Sequence, residues 1–243
     1  MSLGEQCISR SRLTNMEAMT YVDIMGLRIL EPVTTATDLI VSAVCFYAFF
    51  RLLKKDRSEL YFKYFNWFFL TMGLATAIGG LIGHGFLYAF SFEWKLPGWL
   101  TSMLSISLLE RASIGYAKPL LKPKLRVFLD RANIIELLLF MTLTFSTLNF
   151  FFVEVHSAFG LLVVNTPLHL YVYWKTRSAG SKYMLVAISF AMFSAIFFMN
   201  EISVHKWFNY FDISHLLMAM GCWFFYQTAK KLRLRKSAYS YSY

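Results

Sequence analysis

Long apolar runs alternate with short polar or basic stretches over most of the chain. The runs cover roughly 34–53, 61–90, 99–117, 132–150, 151–174, 183–200 and 210–229. Most are close to the length of about 20 residues that a helix needs to cross the hydrocarbon core of a bilayer, and the second is long enough to tilt. The interruptions carry charge or breakers: Arg51-Leu-Leu-Lys-Lys-Asp-Arg57, Ser91-Phe-Glu-Trp-Lys-Leu-Pro-Gly98 and Lys118-Pro-Leu-Leu-Lys-Pro-Lys-Leu-Arg126. Apolar runs of this length, too long for strands, predict an all-α fold, a seven-transmembrane helix bundle. The chain then divides into an extracytoplasmic segment over 1–33, a membrane domain over 34–229 and a basic cytoplasmic tail over 230–243. The fourth and fifth runs nearly merge, so their junction is the least defined boundary.

Composition agrees with a bilayer as solvent. Only 16% of residues are charged and 57% are hydrophobic, whereas soluble domains carry about a quarter charged residues. The formal net charge of +10 sits between the apolar runs, so it reads as topology rather than nucleic-acid binding. With the odd-numbered loops and the tail placed in the cytoplasm, that side holds nineteen of the 24 Lys and Arg residues. Arg10, Arg12, Arg28, Lys95 and Lys206 remain outside. That asymmetry predicts an outside N-terminus and a cytoplasmic C-terminus in a cell or plasma membrane. Trp94, Trp99, Trp174 and Trp207 fall near predicted helix ends, as interfacial aromatics do. Residues 1–30 contain no uninterrupted apolar core of a signal peptide, so none is expected. Cys7, Cys45 and Cys222 form neither a metal spacing nor a disulfide framework.

Ionisable residues inside apolar runs are costly, which makes each a functional candidate. His84 lies near the outer end of the second run. Asp38 lies just inside the first, and Asp212 and His215 just inside the seventh. At about 1.5 Å of rise per residue, all four fall within about 10 Å of the outer boundary. Asp212 and His215 are three apart and share a face, as do Thr34 and Asp38, four apart. If the first, second and seventh helices are neighbours, carboxylate and imidazole groups meet at one depth. That is the composition of a zinc site, or of an interhelical hydrogen-bond network. Glu154, His156, Glu201, His205 and Lys206 read as solvated loop residues, and His169 as structural. Glu110 and Arg111, being adjacent, cannot face the same way: one pairs with a neighbouring helix while Arg111 snorkels. Gly79 and Gly83 have the spacing of a close helix contact, or leave room for a lipid chain beside His84.

Three short stretches resemble the seven-span hydrolase superfamily of the alkaline ceramidases and the progestin/adiponectin receptors. They are Glu31-Pro32 before the first helix, His84 followed by Glu93-Trp-Lys-Leu-Pro-Gly-Trp99, and Asp212-Ile-Ser-His215 followed by an apolar run, Gly221 and Trp223. The resemblance implies an intramembrane zinc ion, with His84 and His215 as ligands and Glu93 as the match to the family's acid. Two positions depart from that pattern. Gly80 stands where the family has Ser, and Phe211 where it has the first His of the seventh helix. Asp212, next to Phe211, is the expected replacement ligand. The leading expectation is therefore a metal-dependent intramembrane hydrolase acting on a membrane lipid amide or ester. His84, Asp212 and His215 would bind zinc, and Asp38 or Glu93 would orient water or move the proton. Two others stay open: a receptor-like or lipid-binding seven-helix protein with a buried His/Asp network, and a haem-binding electron carrier with His84 and His215 as axial ligands. The seventh helix has no interior Lys for a retinal Schiff base.

Overall fold

Prolines at the first turns of three helices set where those helices begin. Their fixed φ suits a first turn and they lack only an N–H that would be unpaired there. In the computed structural model, which describes residues 19–54 and 59–232, Pro32 opens α1 (Pro32–Leu53), Pro97 opens α3 (Leu96–Ala117) and Pro123 opens α4 (Pro123–Thr147). The other long helices are α2 (Leu60–Gly85), α5 (Phe151–Thr176), α6 (Ala179–Met199) and α7 (Tyr210–Lys231). Two of the seven are not α-helical throughout. A π turn over Gly79–Gly85 ends α2, and another over Phe159–Asn165 interrupts α5.

The all-α expectation holds for the body of the protein, with one addition. Ahead of α1, β1 (Tyr21–Ile24) and β2 (Leu27–Leu30) pair as an antiparallel hairpin. Met25 and Gly26 join them with φ of 52° and 81°, the positive pair that a tight two-residue hairpin needs. Arg28 lies over the Tyr21 ring and pairs with Asp23 at 3.1 Å.

Most helix boundaries lie close to the apolar runs. The exception is α4, which begins nine residues before its run. Charges at Lys124, Arg126, Asp130 and Arg131 interrupt hydropathy but not helix geometry, and Arg126 and Asp130 pair across one turn at 3.7 Å. The merged fourth and fifth runs do separate. Leu148 takes a left-handed conformation, φ 52°, and the Asn149 side chain accepts the Phe151 N–H at 3.0 Å.

Consecutive helices pack against one another, and α7 returns to pack on α1, closing a ring. α3 also lies against α5. Phe65, Phe68 and Phe69 of α2, Leu109 and Tyr116 of α3 and Met184 of α6 are fully buried between the helices. Polar groups lie inside with them, including Glu110, Asn133, His156, His169 and Asp212. Large apolar side chains such as Trp67, Ile135, Phe145, Trp174 and Phe193 line the outside. That distribution suits an apolar surrounding medium. Four helices, α1, α2, α5 and α6, are long and apolar enough to cross a membrane. The remaining three are as long but more polar: all of them carry buried polar residues, among them Glu110, Asn133 and Asp212, and α4 also carries charges along its first turns.

Candidate functional site

The end of the bundle where α1, α3, α5 and α7 begin collects Glu31, Asp38, His84, Asp212 and His215. It starts with Glu31, whose φ of 41° is unusual for a residue with a side chain. Its backbone is tied on both sides: its N–H donates to the Thr20 carbonyl at 2.7 Å, and its carbonyl accepts from Thr35 N–H at 2.9 Å. The hairpin and the Pro32 turn thus hold this carboxylate over the end of α2. There the π turn presents His84, and glycines let α1 come close. A Cβ on Gly80 would lie 2.8 Å from the Asp38 Cβ and 3.2 Å from the Thr35 carbonyl oxygen. One on Gly85 would lie 3.1 Å from the Thr35 hydroxyl. Gly83 faces open space. The glycines at 80 and 85 serve close helix contact.

His84 and His215 approach with ring centroids 6.1 Å apart, and the Asp38 carboxylate reaches both. Asp38 Oδ1 is 3.4 Å from His215 Nε2, and Oδ2 is 4.0 Å from His84 Nε2. The opposite ring nitrogens are engaged elsewhere. His84 Nδ1 is 2.8 Å from Glu31 Oε2. His215 Nδ1 is 3.1 Å from the Thr37 hydroxyl, which donates its own hydrogen to the Thr34 carbonyl at 3.0 Å. With its hydrogen committed, Thr37 can only accept, and an ionised Glu31 can only accept as well. In its neutral form each imidazole therefore carries hydrogen on Nδ1 and presents an Nε2 lone pair toward Asp38. Two nitrogen lone pairs and a carboxylate then face one another with no donor between them. Such an arrangement calls for a cation, either a proton or a metal ion. The site is recessed but reachable: the imidazole side chains are 14% and 12% exposed, and Asp38 is 6% exposed. Lys95, at the adjoining turn, has its ammonium pKa lowered by burial and partly restored by Glu31.

The sequence-derived candidates divide on this geometry. His84, His215 and Asp38 come together. Asp212 is buried, but one of its oxygens accepts the Asn209 backbone N–H at 2.6 Å in a capping box that starts α7. Its other oxygen is buried without a hydrogen-bond partner. The carboxylate set between the imidazoles is thus Asp38, and Asp212 completes the capping box whose N-cap is Asn209. Glu93 is exposed on a short 3₁₀ turn, Phe92–Lys95, which packs on the π turn carrying His84. Phe211 lies edge-on to His84 with centroids 5.1 Å apart. Glu31 and Thr37 were not foreseen as partners of the imidazoles. Among the described residues, no three His, Cys, Asp or Glu side chains are closed around one point as in a formed metal site.

One loop assignment is overturned. His156 is fully buried rather than solvated, with Nδ1 2.7 Å from Glu136 Oε1 and Nε2 2.9 Å from the Met103 carbonyl. Glu110 and Arg111 separate as their adjacency requires. Glu110 turns inward to Asn133 at 3.1 Å, while Arg111 reaches the Asp130 carbonyl at 3.5 Å. His169 is buried between the Ser113 and Ser181 hydroxyls, at 3.0 and 3.2 Å.

A family model described as a family of unknown function, DUF6962, matches residues 33–234. No curated protein and no solved structure matches the chain.

Proposed function

The chain belongs to this family of unknown function, DUF6962, and from the donor set between α1, α2 and α7 we propose a metal-dependent intramembrane hydrolase acting on a lipid amide or ester. One observation carries the reading: the Nε2 lone pairs of His84 and His215 converge on the Asp38 carboxylate, while Glu31 and Thr37 hold the two Nδ1 hydrogens. Imidazole ligands of zinc commonly donate the other ring N–H in this way, which fixes tautomer and orientation. Ligands about 2.0–2.1 Å from a tetrahedral zinc ion stand about 3.3 Å from one another. The 3.4 Å contact of His215 with Asp38 has that spacing, and the 4.0 Å contact of His84 needs only a small closure. His84, His215 and Asp38 would hold the ion. A zinc ion with an open position supplies a water of lowered pKa and polarises a carbonyl. The chain's own residues do the rest. Glu31 and Thr37 hold the Nδ1 side of each imidazole and keep the rings aimed, and Asp212 keeps the first turn of α7 in place. Lys95 sets a cation beside Glu31 at the entrance, suited to a polar lipid headgroup.

The bundle is read as seven spans, with the Glu31 end outside and the α7 C-terminus in the cytoplasm. Buried Glu110 of α3, Glu136 of α4 and Asp212 of α7 support counting these helices as spans, since each turns its mid-helix or first-turn carboxyl to the interior. The remaining charges of α4 lie in its first turns, at the cytoplasmic end. The excess of Lys and Arg at the opposite end supports the orientation.

Metal analysis of protein purified without added metal is the first test. Close to one zinc per chain is expected, falling at least tenfold in His84→Ala and His215→Ala, with the helical circular dichroism kept. A metal-free wild-type protein with that spectrum intact would overturn the reading. Phe211 packed edge-on to His84 favours a second reading, in which protons occupy the cluster and the protein is a receptor-like or lipid-binding bundle. Haem ligation fits poorly, because Asp38 already stands where an iron between the two Nε2 atoms would lie.

A further inference from the structure

A second group of buried polar residues lies away from this site, where α3, α4 and α5 meet. Glu110 of α3 is 1% exposed. Its Oε2 accepts from Asn133 Nδ2 at 3.1 Å, and its Oε1 is buried with no hydrogen-bond partner. That oxygen points at Gly160, where an added Cβ would come within 2.5 Å of it. Gly160 belongs to the π turn of α5, whose displaced backbone is held by Asn165 Nδ2 donating to the Gly160 carbonyl at 2.7 Å. The interrupted helix thus makes room for one carboxyl group. Glu136 of α4 has a buried oxygen, Oε2, that also has no partner, while its Oε1 meets His156.

The protons here can be counted from the partners alone. The Met103 carbonyl only accepts, so His156 Nε2 carries hydrogen. The 2.7 Å contact of Nδ1 with Glu136 then holds one further proton, on the imidazole or on the carboxyl, and the pair is neutral in both cases. Asn133 is oriented just as firmly. Its contact to the Ser107 carbonyl at 3.2 Å must be made by the amide nitrogen, so a donor faces Glu110. The other charged group near enough to act on Glu110 is Arg111 of α3, besides Glu136 and His156. Arg111 turns its guanidinium to the Asp130 carbonyl and the Tyr64 ring. An ionised Glu110 would therefore be a buried charge with one neutral hydrogen bond, which is unfavourable in a low-dielectric interior.

We propose that Glu110 is a proton-binding site in the bundle interior, its carboxyl group protonated and its Oε1 fitted to the π turn of α5. Together with the Glu136–His156 pair, it stores two protons on three titratable side chains. A metal cation suits the place less well. The Asn133 amide presents hydrogens, not oxygen, and the Ser107 hydroxyl is committed to Asn133 Oδ1 at 3.1 Å. The Met103 carbonyl is taken by His156. Gly160 leaves space for a proton on Oε1 but crowds anything larger. Release of the proton would leave a bare carboxylate against α5, so proton occupancy is tied to how α5 packs on α3.

Infrared spectroscopy of the full chain in lipid tests this directly. The C=O stretch of a protonated carboxyl is expected at neutral pH. It should be absent from Glu110→Gln and shifted in Asn133→Leu, which removes the hydrogen bond to Oε2. Gln copies the neutral acid, so Glu110→Gln should fold with nearly wild-type thermal stability, whereas Glu136→Gln, which breaks the buried pair with His156, should not. Should Glu110→Gln fail to fold, the shift in Asn133→Leu identifies the band. Two results would overturn the proposal. One is a wild-type spectrum in which Glu110 contributes only carboxylate bands. The other is loss of the acid band on adding sodium chloride at constant pH, which would make this a cation site.

Discussion

At Gly80 one side-chain atom decides how closely α1 and α2 can lie. A Cβ there would sit 2.8 Å from Asp38 Cβ, closer than two carbons pack. Gly80→Ser, which restores the residue of the hydrolase pattern, is therefore expected to push α1 away and lower stability by about 1–3 kcal/mol, as overpacking does. Gly83→Ala, into open space, is expected to be neutral or slightly stabilising. Thermal unfolding of the two variants in detergent checks the contrast, and equal losses would contradict it. The same contact explains why the site was only partly legible in the sequence. His84 and His215 stand out because an ionisable side chain within an apolar run needs a reason. Choosing between Asp38 and Asp212 required the rotation of α1 against α2, which small residues set through contact and not through any motif. His156 was missed because it follows a run boundary. Its partner Glu136 lies near the start of the preceding apolar run, thirteen residues before Asn149 while His156 is seven after it, so spacing along the chain does not pair the two.

At the scale of elements, the apolar runs located every long helix, because burial in an apolar medium is written residue by residue. They did not locate features that depend on backbone geometry. The β1–β2 hairpin rests on two positive φ angles at Met25 and Gly26, and only the glycine signals it. The π turns in α2 and α5 leave no mark in hydropathy, although each contains at least one glycine and adjoins a buried carboxylate. Extra residues in a helix are often kept where a site needs them, and here one aims His84 while the other makes room for Glu110. The start of α7 is legible in hindsight: Asn209 and Asp212 have the spacing of a capping box. Removing it should have two effects. Asn209→Ala is expected to cost about 1 kcal/mol, and to loosen the first turn that carries Asp212 and leads to His215. If zinc binds as proposed, that variant should lose the metal to a chelator faster than wild type while keeping its stoichiometry. Asn209→Asp, which still caps, should behave as wild type. Chelator competition followed over time separates these outcomes, and identical release from all three proteins would disconnect the cap from the site.

The whole molecule is a ring in which polar groups gather at the interior and large apolar side chains face outward, and its two ends differ in charge. One end carries the hairpin, the imidazoles and few cations. The other carries Arg51, Lys54, Lys118, Lys122, Lys124, Arg126, Lys175, Arg177, Lys230 and Lys231. A membrane potential and anionic lipid headgroups both favour keeping the second end in the cytoplasm. A site at the first end would then open toward the outer leaflet and meet lipid headgroups from outside. Cysteine substitution tests this without any assumption about chemistry. Cys45 and Cys222 are buried and Cys7 can be replaced by Ser, so an introduced thiol reports its own position. Lys206→Cys, between α6 and α7, should react with an impermeant maleimide on intact cells. Lys124→Cys, at the start of α4, should react only after the membrane is opened. Labelling at both positions in intact cells would break the seven-span count, because an odd number of crossings separates these two loops. The reverse pattern would keep the count and turn the site toward the cytoplasm, where the substrate would have to come from the inner leaflet.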